Sequence, residues 1–418
     1  MALIDENLAA FPTRAALAAR RIGAADGIAS VERQVSTIRT MAGLSQFVPE
    51  WKEFLTRGAY GATFHNDPAN VELALVNDEG LSPLFVVVRR QGHIECLAPF
   101  YINRTRFRLK LSVLTLASLP IRLLKLFGDR IIYSKDCLPR ESFEAVFVEL
   151  RQHLKLFDLV YLYNLDCSEP LWNACAELSS RRAPFQAMLA SAGIEKVHQV
   201  QITSTHEAFL ASLTSSTRQE LRRKTRRLLS DNHGKLVKVT RPEQVAEFLE
   251  KLDVVFRNSW QAKTFGYRPR NTQAQRQRFE VIASRGWLRS YLLVQDGQPI
   301  AFELGYQYGG QYYGEECGFD PSRAQLGPGA VLMHLVIEDL FKEDRPKLMD
   351  FGFGEAAYKR SLGNIAHDAA SLYLAPPNGW RHLLRLQRVL NFLDVRVRPL
   401  LVRSRLDRLV RRLLKHKK

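Results

Sequence analysis

Two stretches of the chain run through the same order of apolar patterns. In the first, Leu84 to Arg90 and His93 to Ile102 are apolar, β-branched and aromatic runs separated by Gln91-Gly92, which predicts a hairpin. A helix follows at about Glu141 to Lys155, then a buried strand from Phe157 to Leu165. In the second, Ser290 to Gln295, Gln298 to Tyr308 and Gln311 to Asp320 are divided by Asp296-Gly297 and Gly309-Gly310, which predicts a three-stranded meander with two tight turns. After the loop Pro321 to Pro328, Leu332, Leu335, Val336 and Leu340 mark the apolar face of a helix from Gly329 to Lys342, and Lys347 to Phe353 reads as a further strand. Strands, helix, strand therefore occur twice, and the order predicts a duplicated α/β architecture.

A length of 418 residues exceeds what one core usually organises, so two domains are expected. The pattern divides the chain into a helical or flexible extension at 1–44, a first domain at 45–200, a second at 201–380 and a tail at 381–418. The stretch Leu111 to Ile121 is too short to cross about 30 Å of hydrocarbon and reads as a core segment. No export signal is read at Met1 to Ala10, which carries Asp5 and Glu6 where such a signal is basic and then apolar. Five cysteines without C-x-x-C spacing suggest neither a disulfide framework nor a zinc site, and a cytoplasmic setting is expected.

The net charge of +17 is unevenly spread. Residues 381–418 hold ten Arg and three Lys against two Asp, so the body is only mildly basic and nucleic acid is not the expected partner. Val402, Leu406, Leu409, Val410, Leu413 and Leu414 alternate with arginines at helical spacing, which predicts a basic amphipathic helix, with Pro399 separating it from an earlier one at His382 to Leu393. Such a helix suits either an anionic membrane surface, peripheral to its inner face, or the protein's own core.

Candidate chemistry lies in the second domain. The run Cys317-Gly318-Phe319-Asp320-Pro321, then Gln325-Leu326-Gly327-Pro328-Gly329, opens a helix straight after a strand. Unpaired backbone N–H groups and the positive end of the helix dipole there suit a pyrophosphate. In this setting the loop resembles the CoA pyrophosphate loop of GNAT acyltransferases, with Gly327 and Gly329 as its glycines and Arg323 and Gln325 beside its polar position.

A closer resemblance is to the CelD-type acetyltransferases of bacterial cellulose and exopolysaccharide synthesis, related to the Fem-type double-GNAT transferases. It is carried by the basic helix Arg218 to Arg227, the Pro328-Gly329 helix start, and Asp350-Phe351-Gly352-Phe353-Gly354 followed by Tyr358-Lys359. The resemblance implies tandem GNAT-like domains with mixed sheets flanked by helices. It implies acyl transfer from acetyl-CoA or a longer acyl-CoA, without a metal, to the amine of a small molecule or glycan precursor.

Direct attack of an amine on the thioester then needs a base, an oxyanion stabiliser and an acid. Glu303, Glu315, Glu316 and Asp350 are the carboxylates on or beside the relevant strands. Glu315 and Glu316 are adjacent on a strand and so point to opposite faces, which favours Glu316. Asp350, at a strand's C-terminal edge before a glycine-rich turn, is the leading candidate. Tyr358 is a candidate proton donor to the thiolate, Lys359 a ligand for a substrate acid or phosphate, and Arg222 part of a basic strip for an anionic substrate. His334 and His367 lack a second ligand at metal spacing and read as structural, and Cys317 lacks an evident activating base. Asp136 to Arg140 stands where the first domain would need a glycine-rich loop, so one active site is expected. The alternatives are a Fem-type transferase using aminoacyl-tRNA and a non-catalytic membrane adaptor.

Overall fold

The computed structural model describes residues 33–403 apart from 112–113, 179–184, 191–192, 353 and 355. They divide into two compact units, 33–62 with 78–194 and 370–403, and 63–77 with 195–369. The expected tail helix at Val402 to Leu414 lies almost wholly outside the described residues.

Strand β1 (Arg33–Ile38) and helix α1 (Met41–Thr56) open the first unit. Of the extension assigned to residues 1–44, the described part, 33–44, thus belongs to the first unit, and the rest lies outside the described residues. Thr40 caps α1, its Oγ1 accepting from Gly43 N at 3.1 Å, and β1 pairs antiparallel with β2 (Leu81–Arg90). The ladder continues through β3 (His93–Leu111) and β4 (Leu114–Leu126), while β5 (Ile132–Tyr133) pairs with β3. Gln91 and Gly92 turn the first hairpin at φ 53° and 79°. Leu111 and Leu114 to Ile121 lie towards the end of the second hairpin, and of the expected core segment Ile121 is buried while Leu114 and Leu116 are exposed.

Helix α2 (Pro139–Gln152) returns the chain to β6 (Leu159–Asp166), which runs parallel to β4, and α3 (Pro170–Glu177) and β7 (Gln186–Leu189) follow. The unbroken apolar run of β2 has a cause on each face. Leu84, Val86 and Val88 join Phe143, Val146, Phe147 and Leu150 of α2 in one core, while Phe85 meets Trp51 of α1 edge to face at 5.5 Å.

The longer segment of the second unit starts with β8 (Glu195–Gln201), and α4 (Ser215–Leu229), β9 (Gly234–Val239), α5 (Val245–Asn258) and α6 (Trp260–Phe265) follow in it. Strands β10 (Ser290–Gln295), β11 (Gln298–Tyr308) and β12 (Gln311–Phe319) make the expected meander, antiparallel to one another and to β9. Its two turns hold Asp296 and Gly297 at φ 48° and 78° and Gly309 and Gly310 at 58° and 78°, the left-handed pairs that a two-residue hairpin loop requires. Helix α7 (Pro328–Lys342) crosses to β13 (Leu348–Asp350), parallel to β12, and α8 (Ala357–Leu362) follows.

Strand β14 (Ile365–Ala375) links the units through the chain itself, its first half pairing with β8 and its second with β7. Helix α9 (Trp380–Arg403) completes the first unit and runs on through Pro399, where an interruption was expected. The domain limits at 200 and 380 shift accordingly. β8 pairs with β13, so residues 195–200 belong to the second unit, and residues 370–380 return to the first. Phe64 joins the second unit because its ring stacks on Tyr306 at 4.2 Å. Each unit is thus a mixed sheet with flanking helices, and each contains an antiparallel meander, a crossover helix and a parallel strand.

Candidate active site

The parallel pair β12 and β13 is short. Tyr313 opposite Asp350 is its last rung, after which β12 continues to Phe319 while the chain beyond β13 turns away through Gly352 at φ 73°. Six residues of β12, Gly314 to Phe319, therefore pass beyond the parallel ladder. On this stretch the Cys317 carbonyl accepts from Gln261 Nε2 of α6 at 2.8 Å, and Gln261 Oε1 is buried without a hydrogen-bond partner.

A β-bulge sets which side chains meet there. Gly314 opposes Gly305 and Glu316 opposes Leu304, so Glu315 is the extra residue. Alternation is broken at that point. Tyr312 and Cys317, five positions apart, consequently pack in the same core as α7. Glu303 of β11 lies opposite Cys317, and Gly305 and Gly314 make room for the polar atoms. A Cβ on Gly314 would stand 2.7 Å from Glu303 Oε1, and one on Gly305 would stand 2.0 Å from the Tyr312 hydroxyl.

Glu303 is 3% exposed, and its Oε2 has no hydrogen-bond partner in the protein. Burial pushes its carboxyl well above the usual carboxylate range, against the pull of the Lys359 charge. The Tyr312 hydroxyl is also buried and unpartnered. Cys317 Sγ lies 3.5 Å from the Tyr358 hydroxyl. Burial holds the thiol near 12 and raises the phenol too, so both groups keep their protons at neutral pH. A carboxyl, two phenols and a thiol thus cluster beside β12.

The remaining sequence candidates take other positions. Asp350 is engaged at both oxygens: Oδ2 accepts from Gln199 Nε2 at 3.0 Å, and Oδ1 accepts from Gly352 N at 2.7 Å and so shapes the glycine turn. Glu316 receives Arg270 Nη2 at 2.8 Å, and Arg270 lies over the Phe256 ring of α5 at 4.4 Å. Burial raises the Glu316 carboxyl although Arg270 opposes the shift. Glu315 is 3.8 Å from His65, whose neighbour Phe64 belongs to the same α5 core as Phe256. The bulge therefore turns both glutamates towards groups on the α5 side, correcting the expectation of opposite faces. Lys359 is buried, and its Nζ donates to the Gly352 carbonyl at 2.9 Å.

At the start of α7, Gly327 sits at φ 64° as the N-cap, a left-handed position that favours glycine. A Cβ on Gly329 would come 3.2 Å from the Phe319 ring, so this residue also has a close neighbour. Arg323 and Gln325 are exposed on the 3₁₀ turn Pro321–Leu326. Lys224 of α4, absent from the sequence candidates, lies over this loop: a Cβ on Gly327 would meet its Cδ at 2.8 Å and its Nζ at 3.3 Å. Its ammonium is held by Glu220 at 2.5 Å. Arg222, Arg223, Arg226 and Arg227 are exposed on the same helix.

The first unit has a small cleft of its own where β4 and β6 end. Aromatic Tyr60, Tyr133, Phe143 and Trp172 line it together with Asp129, Arg130, Asp166 and Glu169. Among the described residues no cluster has the composition of a metal site.

Residues 215–360 match the family model of the acetyltransferase (GNAT) domain. Among solved structures, that of FemX covers 83% of this chain and 99% of its own at 9% identity with a TM-score of 0.56, a likeness of fold. A tandem GNAT protein from the clavulanic acid biosynthesis pathway covers 82% of this chain and 100% of its own at 12% identity and TM-score 0.49. The C-terminal domain of a putative lysylphosphatidylglycerol synthetase from Agrobacterium fabrum covers 85% and 96% at 14% identity and TM-score 0.48. No curated protein sequence matches.

Proposed function

We propose that the second unit transfers an acyl group from acyl-CoA to an amine, with Glu303 as the proton acceptor. The observation that carries this reading is the buried carboxyl without a partner at Oε2, beside the point where β12 and β13 part. An unpaired buried carboxyl costs stability, and a raised proton affinity is what an acid–base group needs near neutral pH. The N–H groups at the start of α7, the left-handed Gly327 and the Lys224 ammonium fit a pyrophosphate. Arg323 and Gln325 stand on the adjoining turn for further phosphate contacts.

In this reading acyl-CoA supplies an acyl carbon already activated by its thioester. Glu303 takes a proton from the attacking ammonium or amine, and the Tyr358 hydroxyl delivers one towards the departing sulfur. Asp350 and Lys359 hold the Gly352 turn in place. The acceptor is an amine of a small molecule or of a cell-envelope or polysaccharide precursor, in keeping with the CelD-type motifs.

Titration of the purified chain with acetyl-CoA and longer acyl-CoAs tests the proposal, and absence of binding to all of them by a folded protein overturns it. A second donor, aminoacyl-tRNA, draws support from the exposed Arg222, Arg223, Arg226 and Arg227, a basic strip longer than a pyrophosphate needs. Co-purification of tRNA, lost on neutralising that strip, would select it.

A further inference from the structure

Helix α9 buries only part of its apolar surface. Leu384 and Leu390 face inward, Trp380 meets Phe107 of β3 edge to face at 5.7 Å, and Gln387 bonds both the N–H and the carbonyl of Lys110 at 2.8 and 2.9 Å. These contacts dock one face against the β3–β4 hairpin. The other face carries Leu386, Val389 and Leu393, spaced i, i+3 and i+7, at 44%, 53% and 42% exposure. Such a stripe, three large apolar side chains exposed on a helix already anchored elsewhere, has no explanation in the core formed by the described residues of its own unit.

We infer that this outer stripe of α9 docks the protein on an anionic lipid surface. Charge complementarity selects that occupant. Arg385 is exposed beside Leu386, and the chain from 381 onward carries thirteen cationic side chains against two acidic ones. An apolar stripe flanked by cations suits the boundary between acyl chains and anionic headgroups, where the helix lies in the plane of the surface. No described helix is long and apolar enough to cross the bilayer, so the docking is interfacial.

Sedimentation of the full-length protein with phosphatidylcholine vesicles, with and without about one third phosphatidylglycerol, tests the inference. Binding is expected only to the anionic vesicles and should weaken in high salt. Leu386→Glu with Val389→Glu should reduce it about tenfold, and Leu386→Ala with Val389→Ala about threefold, with the thermal transition unchanged because both positions are exposed. Equal binding to neutral vesicles, or unaltered binding by folded variants, overturns the inference. So does a stripe whose mutation abolishes only self-association or only RNA binding. Acyl-CoA titration is independent of this readout, so failure of the catalytic reading leaves it standing.

Discussion

The two units carry one plan with different endings. In each, a meander leads through a crossover helix to a strand parallel to the last strand of the meander. In the second unit, β12 runs six residues past its final parallel rung and carries a bulge on that stretch, and its helix starts from a left-handed glycine beneath a lysine. In the first unit, β4 ends at Leu126, one residue beyond its last parallel partner, Lys125, and α2 starts from Leu138-Pro139 without a glycine. An open strand edge and a phosphate-type helix start are therefore properties of one copy. A shared fold carries no shared chemistry unless those local devices are kept.

The largest effect should come from Glu303→Gln, which preserves the shape of the side chain and removes its charge. Turnover should fall by about 10²–10⁴-fold with acyl-CoA binding retained, as measured by steady-state rates and calorimetry. The pH dependence sharpens the assignment. The folded protein holds the Glu303 proton more tightly than the unfolded chain, so its contribution to stability is full below about 4.5 and is lost as pH rises towards the folded value. Wild type should lose about 1.4 kcal/mol for each pH unit across that window, and the glutamine variant should escape this loss. Its residual activity should likewise lack the acid limb expected of wild type. A variant that keeps near-normal turnover would remove the chemical contrast between the units.

Gly327→Ala attacks the other distinguishing device. A left-handed backbone costs a non-glycine residue about 1–2 kcal/mol, and the new methyl must push Lys224 aside. Acyl-CoA affinity should fall about tenfold, with a smaller change in turnover, in a titration and rate series. Asp350→Asn should do less. The amide oxygen can still accept from Gly352 N, so a loss of under about tenfold in turnover is expected, whereas loss on the scale of Glu303→Gln would return Asp350 to the role of base.

Much of the scaffold around this site was legible because its signals are local. Asp296-Gly297 and Gly309-Gly310 announce tight turns, and the periodicity from Leu332 to Leu340 announces the crossover helix. The facing of the carboxylates was not legible, because strict alternation from Glu315 fails at a bulge that exists only through pairing with β11. Lys224 was hidden for a related reason: its neighbour Gly327 is remote in sequence, and the basic helix looked like a uniform strip. β1 and α1 escaped notice because β1 sits at the end of the sheet order and retains polar residues, while α1 begins from a single threonine cap.

The smallest effect is expected in the first unit, and it is the most direct test of the contrast. Asp129 and Glu169 line its cleft together with Arg130, which lies 3.7 and 3.5 Å from their carboxylates. All three side chains are partly solvent-exposed, so these pairs contribute little to stability, about 0–1 kcal/mol each. Asp129→Asn with Glu169→Gln should therefore leave the melting temperature nearly unchanged, and if the catalytic devices reside in the second unit alone, turnover with a saturating acceptor should stay within about twofold of wild type. A rise in the acceptor KM at constant kcat would make the aromatic and acidic cleft a binding element for a cationic amine. A collapse of kcat would instead place chemistry in both copies, because loss of binding alone is overcome by saturation whereas loss of a proton-transfer group is not.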